Sequence, residues 1–168
     1  MTYYLGIDPG VSGAIAILNP EGKLAAVEDL PVIVAKAGKK TRRRLDARTL
    51  GYRILELVDG EVLNCQVMLE DVHSMPRDGK AAAFTFGRSF GIIEGVVAAL
   101  GLPYRFVTPQ KWKPAMTIPK DKEAARLAVI QRYPDAAPFL KRKKDNNRAE
   151  AIALADYCRR LDTQQEMT

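Results

Sequence analysis

Apolar positions along the chain follow two periods, and together they predict a layered α/β fold. Runs of apolar, aromatic or β-branched residues between turn residues predict strands, whereas apolar residues three or four apart predict helices. The predicted strands cover residues 3–7, 14–18, 23–30, 65–70 and 104–107. The predicted helices cover residues 46–58, 81–100 and 121–133, and a last helix follows residues 145–147. Because the run at 65–70 is apolar on both faces, we expect it in the middle of a sheet that helices cover.

Three connections between these elements are polar or basic, and we expect them to be loops. The first, residues 36–44, packs six basic residues around one glycine, which predicts a mobile, solvated segment. Such a loop can serve solubility alone, or it can contact phosphates. The other two are residues 74–80 and the basic segment 108–113, in which Trp112 can either fill the core or touch a ligand.

Composition and charge narrow the classes of partner. The length of 168 residues predicts a single domain over 1–162 with a polar, frayed tail at 163–168. Lys and Arg outnumber Asp and Glu by 26 to 20, and the net charge of +6 favours a polyanion such as nucleic acid. Two cysteines without a CxxC pair, and one histidine, suggest neither a zinc site nor a disulfide framework. With no signal peptide and no apolar run of about 18 residues, we expect a soluble cytoplasmic protein without a membrane partner.

Acidic residues stand at the ends of two predicted strands. Asp8 follows the first strand, and Glu70 ends the strand at 65–70. Adjacent strand ends can bring such carboxylates within reach of one ion, although an Asp before Pro-Gly is also common turn chemistry. Glu150 lies at the start of the last helix, where it can instead form a capping box with Asn147. The residues alone therefore leave both a metal site and local capping open.

Four motifs stand in a fixed order along residues 3–158. They are LGIDPG with Ser12 and Gly13, then VMLEDV, then FGRSFGIIEG followed by YRFVTPQKWK, and finally DNNRAEAIALADY. This order resembles that of the RuvC-type Holliday junction resolvases, particularly their phage and organellar branch. The first motif also resembles the start of sugar-kinase and actin-like ATPases, but the sequence offers no second Gly-rich phosphate loop. The resemblance implies a ribonuclease H-like fold, in which helices flank a central five-stranded mixed sheet.

The resemblance also implies an acidic metal site. Bacterial members place an Asp or His three residues before the final acid, where this chain has Asn147; the organellar branch places an Asp five residues before it. We therefore expect the catalytic and metal-binding residues to be Asp8, Glu70, Asp145 and Glu150. Two Mg²⁺ ions are expected there, with Mn²⁺ able to substitute, because hard cations prefer carboxylate oxygens. The position of the bacterial aromatic wedge holds His73.

By the same resemblance, the chain is a metal-dependent DNA endonuclease that resolves four-way junctions. It would act as a homodimer, because paired symmetric nicks need two sites. The residues expected to hold this branched DNA are Lys39, Lys40, Arg42, Arg43, Arg44, His73, Arg77, Lys80, Lys111, Lys113 and Lys122. Two alternatives stay open: a nuclease acting on other branched DNA or on RNA–DNA hybrid, and a junction-binding protein without catalysis.

Overall fold

Seven strands in the described part of the chain form one five-stranded sheet and a separate two-stranded ribbon. The computed structural model describes residues 1–38, 40–58, 62–72 and 79–166, without the side chains of residues 37, 40, 63, 165 and 166. The strands are β1 (Tyr3–Asp8), β2 (Ala14–Leu18), β3 (Leu24–Asp29), β4 (Val32–Ala37), β5 (Lys40–Leu45), β6 (Cys65–Glu70) and β7 (Tyr104–Val107). The sheet has the order β3-β2-β1-β6-β7, and β4 and β5 form the ribbon.

The pairing directions bring the ends of β1 and β6 to the same edge of the sheet. Strand β2 runs antiparallel to β1 and β3, whereas β6 runs parallel to β1 and β7. Ile7 of β1 pairs with Leu69 of β6, so the acids that follow them, Asp8 and Glu70, lie at matching heights. The mixed five-stranded sheet expected from the sequence motifs is thereby confirmed.

Helices cover both faces of this sheet. The described residues contain α1 (Ala47–Leu57), α2 (Lys80–Ala99), α3 (Pro109–Ala115), α4 (Lys122–Arg132) and α5 (Asn146–Glu166). Helices α1 and α2 share a core with Leu5 and Ile7 of β1, whereas α3, α4 and α5 share the other core with Tyr4. Because successive side chains of a strand point to opposite faces, β1 contributes to both cores.

Helix α5 lies against β1 at Gly6. Residues 149–158 of this helix are buried on every side, as in a helix that crosses a core, although the sequence predicted only one packing stripe. A Cβ added at Gly6 would lie 2.9 Å from Leu154 Cβ and closer still to the backbone of Ala151 and Ala155. The missing side chain at position 6 therefore allows the close approach of β1 and α5.

The expectation of a mobile loop at residues 36–44 is wrong for the described residues of this segment, because 36–37 belong to β4 and 40–44 to β5 of the ribbon. Val32 pairs with Leu45 at its base, and Gly38 supplies the turn with a φ of 62°. The arginines 42–44 are all exposed. Beyond its base, where Val32 and Leu45 join a core, the ribbon satisfies its backbone by strand pairing while its charged side chains stay in water. No apolar alternation is needed to form it, so the sequence pattern did not indicate it.

Two other segments are more regular than the sequence predicted. Residues 108–113, expected as a loop, form most of α3, whose first residue Pro109 has the fixed φ that suits a helix start. The end of the chain, expected to fray, continues α5 as far as Glu166. Asp162 Oδ1 forms an ion pair with Arg105 Nη2 of β7 at 2.6 Å, which holds the last turns of α5 against the sheet.

Helix α2 has one buried face and one exposed apolar face. It is the one helix in the described ranges that could cross a membrane by length and composition, which the sequence analysis did not expect. Its residues Ser89, Ile93 and Val97 are buried against the sheet, as in a helix that covers a β-layer. On the opposite face Phe84 is 72% exposed, and a Cβ added at Gly87, Gly91 or Gly95 would meet no atom of the described residues within 4 Å.

Candidate metal centre and nucleic-acid interface

Three carboxylates meet at the sheet edge where β1 and β6 end. Asp8, Glu70 and Glu150 each offer one oxygen, and these atoms lie within 4.8 Å of one another. The parallel strands β1 and β6 supply the first two acids, and the close approach of α5 at Gly6 brings the third over them. Among the described residues this is the one group of three potential metal ligands. The sequence therefore identified three acids that the fold brings together.

Burial and mutual repulsion disfavour the charged form of two of these acids. Burial raises the pKa of Asp8 well above its ordinary value, and the charges on Glu150 and Glu70 raise it further. Burial also raises the pKa of Glu70, and a hydrogen bond from Trp112 opposes this effect. Carboxylates held this close are stabilised by a nearby positive charge. Without a cation, the charged form of this cluster is therefore energetically unfavourable, and a bound cation would stabilise it.

Helix α3 supplies two contacts to the cluster that the sequence analysis missed. Trp112 is fully buried, and its Nε1–H donates to Glu70 Oε1 at 2.9 Å. Lys113 Nζ donates to Glu150 Oε1 at 3.0 Å. Trp112 therefore fills the core and also orients a site residue. The available signal was its place just after the strand at 104–107, whose end reaches the same sheet edge as Glu70.

The donor set fits a hard divalent cation. The cluster consists of carboxylates alone, with neither histidine nor cysteine. Mg²⁺ prefers oxygen ligands and binds through one or two carboxylates while it keeps several waters. Trp112 occupies one oxygen of Glu70 and leaves the other carboxylate oxygen available. The residues present therefore fit magnesium, or manganese in its place.

Asp145 does not join this cluster. It lies in a 3₁₀ turn, Lys143–Asp145, and is 3% exposed. Its carboxylate accepts from the backbone N–H of Arg142 at 2.8 Å and from Arg142 Nη2 at 2.7 Å. This arginine side chain holds the pKa of Asp145 below its ordinary value. A role for Asp145 as the fourth metal-site acid stays a prediction.

The capping box between Asn147 and Glu150, one of the two alternatives that the residues alone left open, is not formed. Helix α5 begins at Asn146, directly after the 3₁₀ turn, so Asn147 lies within the helix and not before it. The Asn147 side chain instead donates from Nδ2 to the backbone carbonyl of Ser12, in the loop that follows Asp8. Since Glu150 contacts Lys113, its surroundings are those of a site residue and not of a helix cap.

The predicted DNA-binding residues are distributed over several elements. Those described lie on β5 (Arg42, Arg43, Arg44), at the start of α2 (Lys80), on α3 (Lys111, Lys113) and at the start of α4 (Lys122). Lys39, His73, Arg77 and the side chain of Lys40 lie outside the described residues. Lys113 and Lys122 are close enough to Asp8 for their charges to lower its pKa. These two cations therefore belong to the surroundings of the acids.

A cleft of about 600 Å³ opens beside Asp8. The loop at residues 9–13 and Asn147 form one wall, and α2 forms the other through Ala81, Thr85 and Phe86. Of the three acids, Asp8 lines this cleft. The cleft therefore places Asp8 at an open concave surface.

Comparison with solved structures identifies the fold. No protein-family model and no curated protein matches the chain. The structure of Thermus thermophilus RuvC in complex with a Holliday junction substrate has 19% sequence identity and a TM-score of 0.60, and the match covers 97% of this chain and 98% of that one. A second T. thermophilus RuvC structure has 20% identity and a TM-score of 0.52, with 96% and 98% covered. The chain therefore has the ribonuclease H-like fold of the RuvC-type Holliday junction resolvases, as its sequence motifs indicated.

Proposed function

We propose that this protein is a metal-dependent, structure-selective DNA endonuclease that resolves four-way junctions by paired symmetric nicks. The observation that carries the proposal is the cluster of Asp8, Glu70 and Glu150, whose oxygens lie within 4.8 Å at the edge of a RuvC-like fold. A protein that only bound junctions would need the basic surface but would have no use for crowded, partly buried acids. The net charge of +6 is consistent with a nucleic-acid substrate.

The three acids would hold Mg²⁺, two ions per site by the family resemblance. Divalent cations bound by carboxylates activate water and stabilise the leaving oxygen in phosphodiester hydrolysis. Trp112 fixes the orientation of Glu70, and Lys113 balances part of the charge on Glu150 until the substrate and cation are present. Lys113 then lies where it can contact the scissile phosphate, since it already lies at the acid cluster.

The remaining basic residues would position the DNA backbone. The exposed arginines 42–44 of β5 line a neighbouring cavity that shares Val11, Ala81, Thr85 and Ser89 with the cleft beside Asp8. Lys80 directly precedes Ala81 on α2, and Lys122 at the start of α4 is close enough to lower the pKa of Asp8. Such phosphate contacts fix the orientation of the substrate without reading its sequence. Selectivity for a junction then depends on the shape of the branched DNA and on the spacing of two active sites.

A homodimer is the assembly that makes paired nicks possible. The exposed face of α2, with Phe84 and the glycines 87, 91 and 95, is an apolar helix surface that the described residues leave uncovered. A second copy of the same face can cover it by two-fold symmetry, and the small residues allow the two helices to approach closely. Two acid clusters related by this axis would cut opposed strands of a junction.

The test is cleavage of a panel of substrates with and without Mg²⁺. Wild-type protein should nick mobile four-way junctions only with the metal, and it should cut linear duplex and RNA–DNA hybrid much more slowly. On a supercoiled plasmid that extrudes a cruciform, paired cuts give linear DNA directly, whereas unpaired cuts give nicked circles. Asp8→Asn is the matched control, and it should bind junctions but not cut them. Equal cutting of hybrid or linear duplex, or junction binding without metal-dependent cutting, would refute the proposal.

A further inference from the structure

A small polar pocket lies on the far side of the loop that follows Asp8. Its volume is about 280 Å³, roughly half that of the cleft that contains Asp8. Four cations line it: Arg43 from β5, Lys122 from the start of α4, and Arg142 and Lys144 from the turn before α5. Basic residues from three separate parts of the chain thus converge on one concave site.

The acids that line this pocket are already paired, so the described residues leave part of its positive charge unbalanced. Asp145 binds Arg142 at 2.7 Å. Asp29 binds Arg148, which lies outside the pocket lining, at 2.6 Å. In the described ranges, Arg43, Lys122 and Lys144 form no ion pair. Three cations around a small cavity disfavour one another, and a bound anion relieves that repulsion.

The pocket shares a wall with the site of the acids. Ser12, Gly13 and Asn147 line both the pocket and the cleft beside Asp8. Ser12 is held from two directions, because Arg43 Nη1 donates to its Oγ at 3.4 Å and Asn147 donates to its carbonyl oxygen. An anion in the pocket would therefore lie just behind the loop that carries the chain from Asp8 to β2.

Size and lining distinguish the chemistry of the two cavities. The cleft beside Asp8 has Phe86 and alanines on its α2 wall and is about twice as large as the pocket. The pocket is smaller than the range of about 300–1,000 Å³ that is usual for small-molecule sites. Its cations and amides suit the oxygens of a single phosphate group.

We infer that this pocket binds a backbone phosphate that flanks the scissile one on the strand that enters the acid cluster. The inference rests on the proposed function and adds to it a residue set that determines which phosphodiester lies at Asp8. A phosphate held behind the 9–13 loop fixes the position of the strand along the cleft. The pocket would therefore control the position of the cut as well as affinity.

Lys144→Gln tests the pocket, with Lys141→Gln as the matched control. Both lysines are exposed and three residues apart, but Lys141 does not line the pocket. Junctions carrying one neutral methylphosphonate at each position near the cut are bound in Ca²⁺, and cleavage positions are mapped separately in Mg²⁺. We expect a methylphosphonate at one position to weaken junction binding by the wild-type protein and by Lys141→Gln. The same methylphosphonate should not weaken binding by Lys144→Gln any further. We also expect Lys144→Gln to spread cleavage over neighbouring phosphodiesters.

The salt dependence gives the expected size of the effect. One lost duplex phosphate contact changes the slope of log affinity against log salt by about 0.9, which is about 3.5-fold between 50 and 200 mM salt. The loss of junction affinity caused by Lys144→Gln should therefore become about 3.5-fold smaller as the salt concentration rises from 50 to 200 mM. Titration of inorganic phosphate without DNA, followed by thermal unfolding, tests whether the pocket takes a free anion instead.

Three results would overturn the inference. One is that all methylphosphonate positions affect wild type and Lys144→Gln equally. Another is that Lys141→Gln, like Lys144→Gln, becomes insensitive to the same methylphosphonate, which would indicate a diffuse basic surface. The last is that inorganic phosphate raises the unfolding temperature of the wild-type protein more than that of Lys144→Gln, while no methylphosphonate position distinguishes the two proteins in DNA binding. If the protein does not cut junctions, the proposed function is refuted. If it cuts them but no phosphate position depends on Lys144, only the inference about the pocket is refuted.

Discussion

Replacing Gly6 with alanine should separate β1 from α5 and open the acid cluster. The added Cβ would lie 2.9 Å from Leu154 Cβ, about 0.6 Å short of the roughly 3.5 Å of a normal carbon contact, and closer still to backbone atoms of Ala151 and Ala155. Backbone atoms cannot rotate away as a flexible side chain can. Overpacking a core typically costs about 1–3 kcal/mol, and the rigid neighbours place this change at the upper end. A loss of about 3 kcal/mol corresponds to a fall in Tm of about 6–12 °C for a domain of this size.

The same change should weaken metal binding, because Asp8 lies two residues after Gly6 and Glu150 one residue before Ala151. Denaturant unfolding is measured with and without Mg²⁺, since a ligand at 100 times its Kd stabilises the native state by about 2.7 kcal/mol. We expect Gly6→Ala to be less stable than wild type and to gain less from Mg²⁺. The metal-dependent gain separates damage to the site from general loss of stability.

Gly51→Ala is the matched control for this experiment. Gly51 lies within α1, and a Cβ there would meet only Val96 Cγ1, at an ordinary 3.8 Å. Because alanine favours a helix over glycine, this substitution should stabilise the protein by about 0.5–1 kcal/mol and leave the Mg²⁺ gain unchanged. If Gly6→Ala unfolds at the wild-type denaturant concentration, or loses stability while it keeps the full Mg²⁺ gain, the proposed geometric coupling is wrong.

Three further substitutions test the site and its surroundings. Trp112→Phe removes the hydrogen bond that lowers the pKa of Glu70, so Mg²⁺ affinity in a cleavage titration should fall about 10–100-fold; an unchanged titration would contradict this role. Asp145→Asn breaks the contact with Arg142, which holds the pKa of Asp145 low, so it should lose stability at pH 7, and this loss should shrink as the pH falls through the ordinary pKa and then the lowered pKa of the carboxyl. Cleavage reduced by orders of magnitude at unchanged stability would instead make Asp145 the fourth ligand that the sequence predicts. Alanine at all three arginines 42–44 should weaken junction binding and reduce the salt slope by about 0.9 per lost duplex contact; an identical slope would mean that these residues only aid solubility.

The parts of the fold that the sequence predicted are those with an apolar pattern set by the core. Strands 65–70 and 104–107 have the predicted bounds, because both carry apolar residues between clear turn signals. Helix α1 also lies within the predicted range 46–58, with Asp46 as its N-cap, accepting from the backbone N–H of Thr49. The β4–β5 ribbon was missed because it joins a core through Val32 and Leu45 at its base, while its other described residues belong to neither core and its strand pairing places no demand on apolar periodicity.

The candidate site was predictable where a strand end fixes a residue and unpredictable where a distant contact does. Asp8 and Glu70 follow from the pattern of β1 and β6. The partner of Glu70 is Trp112, 42 residues further along the chain, and no local pattern reports such a contact. Asp145 was assigned by its spacing from Glu150, but that spacing does not reveal that a neighbouring arginine binds its carboxylate.

Helix α3 connects two acids that belong to different layers of the fold. Its consecutive residues Trp112 and Lys113 contact Glu70 on the sheet and Glu150 on α5, and Lys113 Nζ lies 5.3 Å from the centroid of the Trp112 ring. Successive residues of a helix differ by about 100° around its axis, so a single rigid turn determines the directions of both contacts. Inserting or deleting one residue ahead of Trp112 would rotate both side chains away from their acids. The separation of Glu70 and Glu150 before a cation binds is thus set by the geometry of one seven-residue helix as well as by the packing of sheet against α5.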